Sequence, residues 1–392
     1  MMKNSTAIYM DHHATTPTDE RVLARMLPFF NENFGNASSR HHSFGWKARD
    51  AVAKARRQVA ELIGADSREI YFTSGATESN NLAIKGFVRG NEERPLHVVT
   101  MSTEHEAVLD PCRELEREGI DVTYLKPRSD GLIDLDVFQK VLKENTRFVS
   151  VMMANNEVGV LQPLYELGQI TGPRGIILHS DAAQAVGKVP IDAESLGVDL
   201  MSITAHKMYG PKGIGALYIR RRRPRPKLKA LFDGGGHENG LRPGTVNVPG
   251  AVGFGAAAEI CRQEMTGESR RVAYLRDRLL HGLTECLSGV IVNGSMEYRL
   301  PHSLNVSFDC LEGESLLLGL DDIAVSSGAA CASANPKPSH VLHAMGVSEE
   351  RSRASIRFGL GRSTSEAQVD YVISKVVSVV NRLREMSPYA SQ

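Results

Sequence analysis

The 392-residue chain is long enough for two domains, and its 42% hydrophobic and 23% charged residues are typical of a folded, water-soluble protein. Its 46 lysines and arginines balance its 46 aspartates and glutamates, so no overall field attracts nucleic acid or an anionic membrane. No apolar run reaches the roughly 18 residues that a membrane-spanning helix needs. We therefore expect neither nucleic acid nor a membrane as a direct partner.

Cysteine usage bears on the compartment of the protein. The five cysteines are scattered and none forms a C-x-x-C pair, which argues against a disulfide framework and against a zinc site. Residues 1–6 lack the apolar core of a signal peptide. We predict a cytoplasmic protein that binds no metal.

The first motif in the chain is Asp11-His12-His13, which follows a short apolar segment. Carboxylates and imidazoles can hold the divalent ions that activate water in metal-dependent phosphoesterases. Such a two-metal site needs further carboxylates nearby, and none precedes Asp11. The favoured interpretation is a turn that enters the first long helix. A long helix is predicted from about residue 44 to residue 63, where Gly64 ends it.

From residue 70 the chain alternates between strand and helix patterns, as a parallel sheet requires. Predicted strands cover residues 70–73, 97–101, 147–152 and 175–179, and a further one begins at residue 198. Each strand is followed within a few residues by a side chain that could hold a ligand: Thr77, His105, Asn156, Asp181 and Lys207. Because the carboxyl ends of parallel strands meet at one edge of a sheet, we expect these side chains to converge there.

The chemistry of this set suits pyridoxal 5′-phosphate. Lys207 lies at the exit of a strand, where burial can lower its pKa and make it a Schiff-base nucleophile. The helix start at Ala76 and Thr77 offers free backbone N–H groups to a phosphate. Asp181 can keep the pyridine nitrogen protonated, and Gln184, three residues later, shares its face if that segment is helical. We therefore predict pyridoxal 5′-phosphate as the cofactor.

Beyond about residue 265 the pattern becomes that of a second, smaller α+β domain. Its predicted helices and strands cover residues 269–287, 290–292, 303–308, 314–320, 354–358 and 365–386. The last helix has an apolar face formed by Val369, Val372, Ile373, Val376 and Val380. A loop of small residues, about 326–340, carries Cys331, the one cysteine in a polar setting that favours reactivity. The other cysteines, which are expected to be buried, are Cys112, Cys261, Cys286 and Cys310.

Seven motifs occur in a specific order: T-S-G-A-T-E-S at 73–79, N-N-E at 155–157, D-A-A-Q at 181–184, A-H-K at 205–207, G-G-G-H-E at 234–238, R-P-G-T at 242–245 and S-S-G-A-A-C at 326–331. In this order they resemble the cysteine desulfurases of the NifS/IscS group, which are fold-type I pyridoxal-phosphate enzymes like the class V aminotransferases. The resemblance covers residues 9–388. It implies an α/β fold in which a large domain, 16–264, has a mostly parallel mixed sheet flanked by helices. The small α+β domain then comprises 1–15 and 265–392.

The resemblance also assigns catalytic roles. It implies that Lys207 is the Schiff-base lysine, that Asp181 pairs with the ring nitrogen and that His105 stacks on the ring. Arg357 matches the arginine that binds the substrate carboxylate with its planar fork. Cys331 matches the residue that accepts the sulfur as a persulfide.

Further positions match residues that bind the cofactor or the substrate region. The phosphate would be bound by Ala76, Thr77, Thr204 and His206, helped by Thr245 from the other subunit of a homodimer. The phenolic oxygen or the substrate would be bound by Asn156 and Gln184. Thr204 and Ala205 stand where the family more often has Ser and Gly, and Ala329 stands where Ser is common. These departures put only the fine geometry in doubt.

The implied function is the conversion of L-cysteine to L-alanine, with delivery of sulfur to an iron–sulfur scaffold or another sulfur-acceptor protein. One alternative is a pyridoxal-phosphate aminotransferase or selenocysteine lyase that uses the same site. The need for Cys331 and the formation of a keto acid distinguish these activities. A second alternative is a metal-dependent phosphoesterase built on Asp11, His12 and His13.

Overall fold

The computed structural model describes residues 7–93, 95–222, 225–327 and 338–386. In chain order its strands are β1 Ile8–Tyr9, β2 Ile70–Thr73, β3 His97–Met101, β4 Asp121–Leu125, β5 Thr146–Ser150, β6 Ile177–Asp181, β7 Leu200–Thr204, β8 Gly215–Ile219, β9 Val290–Val292, β10 Ser303–Phe308, β11 Ile323–Ala324, β12 Ser326–Ser327 and β13 Ser355–Gly359. Its α-helices are α1 Glu20–Met26, α2 Pro28–Asn31, α3 Ser43–Leu62, α4 Ala76–Gly90, α5 Glu106–Arg117, α6 Leu135–Val141, α7 Leu164–Thr171, α8 Val248–Cys286, α9 Gly313–Gly319, α10 His340–Ala344, α11 Glu349–Arg353 and α12 Glu366–Met386. Within the described ranges, no helix combines the length and the apolarity needed to cross a membrane.

The central element is a seven-stranded mixed sheet with the strand order β2-β8-β7-β6-β5-β3-β4. Strand β8 is antiparallel to both of its neighbours, whereas the other neighbouring pairs are parallel. The six strands other than β8 therefore point the same way, and their carboxyl ends share one edge. The prediction of an α/β fold with a mostly parallel mixed sheet is confirmed.

Several strand limits differ from the sequence prediction. The strand expected at 175–179 is β6, which begins two residues later because Gly175 has a left-handed backbone (φ 66°) and closes a turn. Asp181 is consequently the last residue of the strand itself. The residues after it form turns, so the helical condition for a shared face of Asp181 and Gln184 is not met, although both side chains line the same cavity.

The largest difference is helix α8, which spans 39 residues and begins 21 residues before the predicted start at 269. Its first part is rich in glycine and alanine and packs closely on α3. A Cβ placed on Gly255 would lie 2.6 Å from the Cα of Ala55. Small residues allow two helices to approach closely. The same residues do not predict a helix from the sequence, because glycine has a low intrinsic helix propensity.

The buried apolar residues form separate clusters. One large cluster lies between the central sheet and helices α3 and α8, and another lies on the opposite face of that sheet, around α4 and α5. A third cluster joins the C-terminal half of α8 to the sheet β12-β13-β10-β9 and to α12. The predicted apolar face of α12 is confirmed: Val369, Val372, Val376 and Val380 are buried and Ile373 is partly buried.

The N-terminal segment belongs structurally to the C-terminal part of the chain. Strand β1 pairs in parallel with β11, and Asp11 forms a parallel β-bridge with Gly359. A turn follows at residues 12–14, but it does not lead into a long helix as predicted. The next helix is the seven-residue α1, and the long α3 begins at Ser43.

The structure also corrects the burial of two cysteines. Cys112 and Cys261 are buried as predicted, but Cys286 and Cys310 are exposed. Cys286 is the last residue of α8, and Cys310 lies in the turn after β10 with a positive φ of 61°. These two positions, a helix end and a turn, lie at the surface, so an apolar residue type is not enough to bury them.

Candidate active site

A cavity of about 550 Å³ opens at the carboxyl edge of the central sheet. Among its lining residues are Ala76, Thr77, His105, Asn156, Asp181, Gln184, Thr204, His206 and Lys207. The convergence expected from the sequence therefore occurs. The cavity is of the size and the mixed polar and apolar character of small-ligand sites.

Lys207 is the half-buried one of the two lysines in the described lining of this cavity, since Lys212 is exposed. It ends the short 3-10 turn Ala205–Lys207 that follows β7, a strand whose five residues are all buried. The turn is tight, because a Cβ on Gly210 would lie 2.8 Å from the Cβ of Ala205. Burial lowers the pKa of Lys207; Asp181 opposes this effect and Arg357 reinforces it. A lysine with a lowered pKa is more readily neutral and nucleophilic.

Asp181 presents a buried carboxylate to the cavity, with only 6% of the residue exposed. Its Oδ2 accepts a hydrogen bond from Asn80 Nδ2 at 2.7 Å, and its Oδ1 accepts one from the Ala183 backbone N–H at 2.9 Å. These bonds fix the plane of the carboxylate. Asn80 was not predicted from the sequence, although it stands three residues after Thr77 on α4 and thus on a neighbouring face of the helix.

The start of helix α4 provides an anion site. Its N-cap is Gly75, and no described side chain caps the helix, so the first backbone N–H groups are available to a ligand. Strand β8 packs directly behind this turn: a Cβ on Gly215 would lie 2.6 Å from the Cα of Gly75. Thr77 and Thr204 line the cavity beside it.

His206 adds a neutral donor to the same region. Burial, together with the neighbouring Lys207 and Lys212, lowers the pKa of His206 to about 4. Its Nδ1 lies 3.1 Å from Thr15 Oγ1, which leaves Nε2 for a ligand. Thr15 also lines the cavity, and sequence analysis did not single it out.

His105 is held rigidly at the start of helix α5. Its Nδ1 accepts a hydrogen bond from the Ala107 backbone N–H at 3.0 Å, so the ring caps the helix, and burial lowers its pKa. The preceding Glu104, which was not predicted, is buried and accepts a hydrogen bond from the Met152 N–H at 2.7 Å. This contact ties the segment after β3 to the segment after β5. His105 is thereby fixed as a flat, neutral surface at the cavity wall.

Asn156 and Gln184 complete the described lining on the substrate side. The side-chain Oδ1 of Asn156 is buried and has no hydrogen-bond partner among the described residues. The carbonyl oxygen of Asn156 accepts a hydrogen bond from Arg357 Nη1 at 2.8 Å. Gln184 Nε2 donates to the His13 carbonyl at 3.0 Å. A buried polar atom without a partner at a cavity wall fits a ligand that supplies one.

The side chains present fit pyridoxal 5′-phosphate. They combine an amine, a carboxylate for the ring nitrogen, an uncapped helix start for the phosphate and an imidazole at the wall. Two predicted residues are not in the cavity lining. Thr245 is exposed, and Arg357 lies behind Asn156. Cys331 lies outside the described residues.

The Asp11-His12-His13 motif is not arranged as a metal site. Asp11 forms an ion pair with Arg357, and the buried His12 bonds to the Gly359 carbonyl through Nδ1 at 2.9 Å. His13 is stacked on His302 with a centroid distance of 4.5 Å. In the part of the chain that the structure describes, no three His, Cys, Asp or Glu side chains are grouped to hold a metal ion.

Comparison with known proteins agrees with the fold. The family model for aminotransferase class-V matches residues 8–372. The chain is 55% identical over 381 residues to cysteine desulfurase IscS of Anaeromyxobacter sp. (strain Fw109-5), covering 97% of this chain and 94% of that protein. It is 54% identical over 383 residues to cysteine desulfurase IscS of Pasteurella multocida (strain Pm70), with the same coverage.

Solved structures give the same result. A NifS-like protein superposes with a TM-score of 0.89 at 38% identity, covering 96% of this chain and all of the other. A structure described as SspA in complex with cysteine superposes with a TM-score of 0.81 at 36% identity, covering 91% of this chain and all of the other.

The fold and the site define a pyridoxal-phosphate enzyme of the class V aminotransferase type. Within that class the chain belongs to the cysteine desulfurases of the NifS/IscS group. Its cofactor is pyridoxal 5′-phosphate. The metal-dependent phosphoesterase alternative is wrong.

Proposed function

We propose that the cavity is the site at which this cysteine desulfurase converts L-cysteine to L-alanine, with Lys207 as the catalytic amine. One observation carries the proposal: the half-buried Lys207 amine and the buried Asp181 carboxylate line the same cavity as the uncapped start of α4. A general base and a carboxylate that stabilises a ring proton are needed together for proton removal at Cα.

Each of these residues has one task in the reaction. The bound cofactor supplies an electron sink for charge that develops at the substrate Cα. Lys207 Nζ removes the Cα proton, for which its lowered pKa suits it. The Asp181 carboxylate, oriented by Asn80, holds the proton on the ring nitrogen. His105, at the cavity wall, would cover one face of the ring and shield it from water.

The phosphate and the ring oxygen are assigned to the remaining lining residues. Ala76, Thr77, Thr204 and His206 bind the phosphate, helped by the N-terminal dipole of α4. Asn156 and Gln184 bond to the phenolic oxygen or to the substrate beside it. The unpaired Oδ1 of Asn156 supports this assignment.

Arg357 is assigned to the substrate carboxylate. Its guanidinium bonds to the backbone carbonyl of Asn156, a residue of the cavity wall, and its side chain is only 11% exposed. A planar guanidinium binds a carboxylate with two parallel hydrogen bonds. Arg357 would thus fix the Cα–H bond of the substrate relative to Lys207.

Cys331 is assigned the sulfur transfer. Its thiolate attacks the sulfur of the substrate, so that an S–S bond forms while the Cβ–S bond breaks. The electron pair of the broken bond stays on the substrate carbon, which takes up a proton and becomes the methyl group of alanine. Cys331 follows the described Ser327 by four residues, a reach of up to about 14 Å. Ser326 contacts Arg357, so this reach starts beside the substrate site.

A homodimer is the assembly we propose. Thr245 is exposed and does not line the cavity of its own chain, which suits a role in the site of a second copy. Helix α2 and the connection that follows it expose large apolar side chains, with Phe30 at 60% and Phe34 at 63% exposure. A second copy that covers such a surface gains apolar burial.

The division into domains and the cellular role are also proposals. The separate apolar clusters support a large domain at 16–264 and a small one at 1–15 and 265–392, with the boundary inside the continuous helix α8. An iron–sulfur scaffold or another acceptor protein receives the sulfur. Four unpaired cysteines at positions 112, 261, 286 and 310 support a cytoplasmic location.

The experiment is to trap the cofactor lysine chemically. Borohydride reduction of the holoenzyme, followed by digestion and mass spectrometry, should place the pyridoxyl group on Lys207. Lys212 is the informative rival, because it also lines the cavity but is exposed. A pyridoxyl group recovered on Lys212, or on any lysine other than Lys207, would overturn the proposal.

A further inference from the structure

Arg357 already has an internal carboxylate partner in this structure. Its Nη2 donates to Asp11 Oδ1 at 2.6 Å and to Ser326 Oγ at 3.0 Å, and Ser326 Oγ donates to Asp11 Oδ2 at 2.9 Å. The three residues lie on adjacent backbone segments, since Ser326 pairs with Arg357 across β12 and β13 and Asp11 bridges to Gly359. The sheet itself therefore holds them together.

The hydrogen-bond count at the guanidinium restricts how a substrate can bind. A guanidinium can bind a carboxylate with two parallel hydrogen bonds along either of two edges. One edge is formed by Nη1 and Nη2 and the other by Nε and Nη2, so both edges use Nη2. Both protons of Nη2 are engaged, one with Asp11 and one with Ser326. Any substrate carboxylate that binds Arg357 along an edge must displace one of these two partners.

On one of the two edges, that of Nε and Nη2, one of the two donor nitrogens has no partner among the described residues. The Nε of Arg357 is buried and has no hydrogen-bond partner among the described residues, whereas Nη1 is bonded to the Asn156 carbonyl. The edge formed by Nε and Nη2 is therefore the one that a carboxylate can enter with the smaller loss of existing bonds.

From these contacts we propose that Asp11 is a placeholder for the substrate carboxylate, and that it limits the affinity of the site for amino acids. When the site is empty, Asp11 keeps the largely buried Arg357 charge paired and oriented, since an unpaired buried charge is costly. When an amino acid arrives, its carboxylate meets an arginine that is already neutralised and a nearby like charge. Asp11 is thus a positioning residue that also favours product release.

This inference rests on the proposed role of Arg357, and the experiment separates the two. The affinity of the holoenzyme for L-alanine and for L-alaninamide, which lacks the carboxylate, is measured by calorimetry. Asp11→Asn keeps the shape but removes the charge, and it should tighten L-alanine binding by about tenfold while leaving L-alaninamide unchanged. Asp11→Ser is a second variant that should act in the same direction.

The controls are variants of the two other members of the cluster. Ser326→Ala frees one proton of Nη2 but leaves the Asp11 charge in place, so it should tighten L-alanine binding by less than about twofold. Arg357→Ala should weaken it by at least about tenfold. If Arg357→Ala has no effect, the carboxylate role of Arg357 itself fails. If Arg357→Ala weakens binding but both Asp11 variants leave the L-alanine affinity unchanged or lower it, the placeholder role alone is overturned. Equal tightening for L-alaninamide would also overturn it.

Discussion

At the scale of single residues, the site works through buried groups whose partners come from distant parts of the chain. Asp181 is bonded by Asn80, which lies 101 positions earlier. Lys207 lies close enough to Asp181 and Arg357 for both to influence its pKa. In a site shielded from water such pairs interact more strongly than they would at the surface. The catalytic properties of each residue thus depend on contacts that the fold creates.

Replacing Asp181 tests its charge. The Asp181→Asn variant should still bind the cofactor but should lose Cα-proton exchange by at least about a hundredfold, because a neutral amide stabilises a ring N–H⁺ far less than a carboxylate does. The measurement is the washout of α-deuterium from labelled L-alanine, followed by NMR. Exchange close to the wild-type rate would contradict the role.

Replacing Asn80 tests the orientation of that carboxylate. Asn80→Ala removes the donor at 2.7 Å and leaves a buried oxygen of Asp181 unpaired, which should cost about 1–3 kcal/mol of stability. The neighbouring Asn81→Ala is the matched control, because the Asn81 side chain donates to the Thr77 carbonyl of its own helix and to no other described residue. Thermal denaturation should separate the two variants. Equal midpoints would show that the Asn80 contact is unimportant.

The sequence predicted the side chains that follow strands, because the edge of a parallel sheet collects them whatever the details of the loops. It did not predict Asn80, Glu104 or the pairing of Asp11 with Arg357. These contacts join residues 101, 48 and 346 positions apart, and they depend on how helices and strands pack. No local pattern in the chain encodes such a distance.

At the scale of secondary-structure elements, the anion site depends on strand β8. This strand runs against the direction of its neighbours and lies directly behind the turn at Gly75. A Cβ on Gly215 would lie 2.5 Å from the Ile203 carbonyl and 2.6 Å from the Gly75 Cα. A glycine at the start of β8 therefore allows the start of α4 to approach the sheet.

Gly215→Ala should disturb the phosphate site from behind. The added methyl group forces the turn at Gly75 outward, and we expect a loss of about 1–3 kcal/mol in stability together with weaker cofactor binding. Cofactor dissociation during dialysis, followed by absorbance, gives the second quantity. Gly172→Ala is the control, since no atom of the described residues lies within 4 Å of its added Cβ. Retention of the cofactor as in the wild type would contradict the packing argument.

The same kind of close approach explains why helix α8 was predicted too short. Glycine and alanine in its first half serve contact with α3 rather than helix propensity, and sequence periodicity does not distinguish that use from a loop. The second half, with ordinary amphipathic spacing, was predicted within one residue of its end at Cys286. The segments of a helix with strong apolar periodicity are therefore the ones that the sequence predicts best.

At the scale of the whole molecule, several histidines are buried in a neutral form. Burial lowers the pKa of His12 and of His179 to about 4, and it lowers the pKa of His13 and His302 well below the usual value. The unfolded chain binds a proton at each position below about pH 6.5, but the folded chain does so only at lower pH. The stability that neutral histidines provide is complete above pH 6.5 and is lost as the pH falls towards 4.

His179→Gln should reduce this pH dependence. His179 bonds to Ser150 and Ser202 inside the central sheet, and its removal should decrease the slope of unfolding free energy against pH by up to about 1.4 kcal/mol per pH unit between pH 6.5 and 4. Denaturant unfolding at several pH values gives the slope. The exposed His281→Gln should leave the slope as in the wild type, and an unchanged slope in His179→Gln would contradict the burial argument.

The most direct test of the account is a single turnover of L-cysteine by the wild type and by Cys331→Ser. The proton-removal step needs Lys207, Asp181 and Arg357, whereas breaking the C–S bond also needs a sulfur nucleophile. The wild type should form one alanine per site and add one sulfur atom to the peptide that contains Cys331, as measured by mass spectrometry. The variant should retain the cofactor and bind L-cysteine, but it should form almost no alanine and no persulfide. Alanine and sulfide released by Cys331→Ser at the wild-type rate, or a keto acid in place of alanine, would contradict the persulfide mechanism.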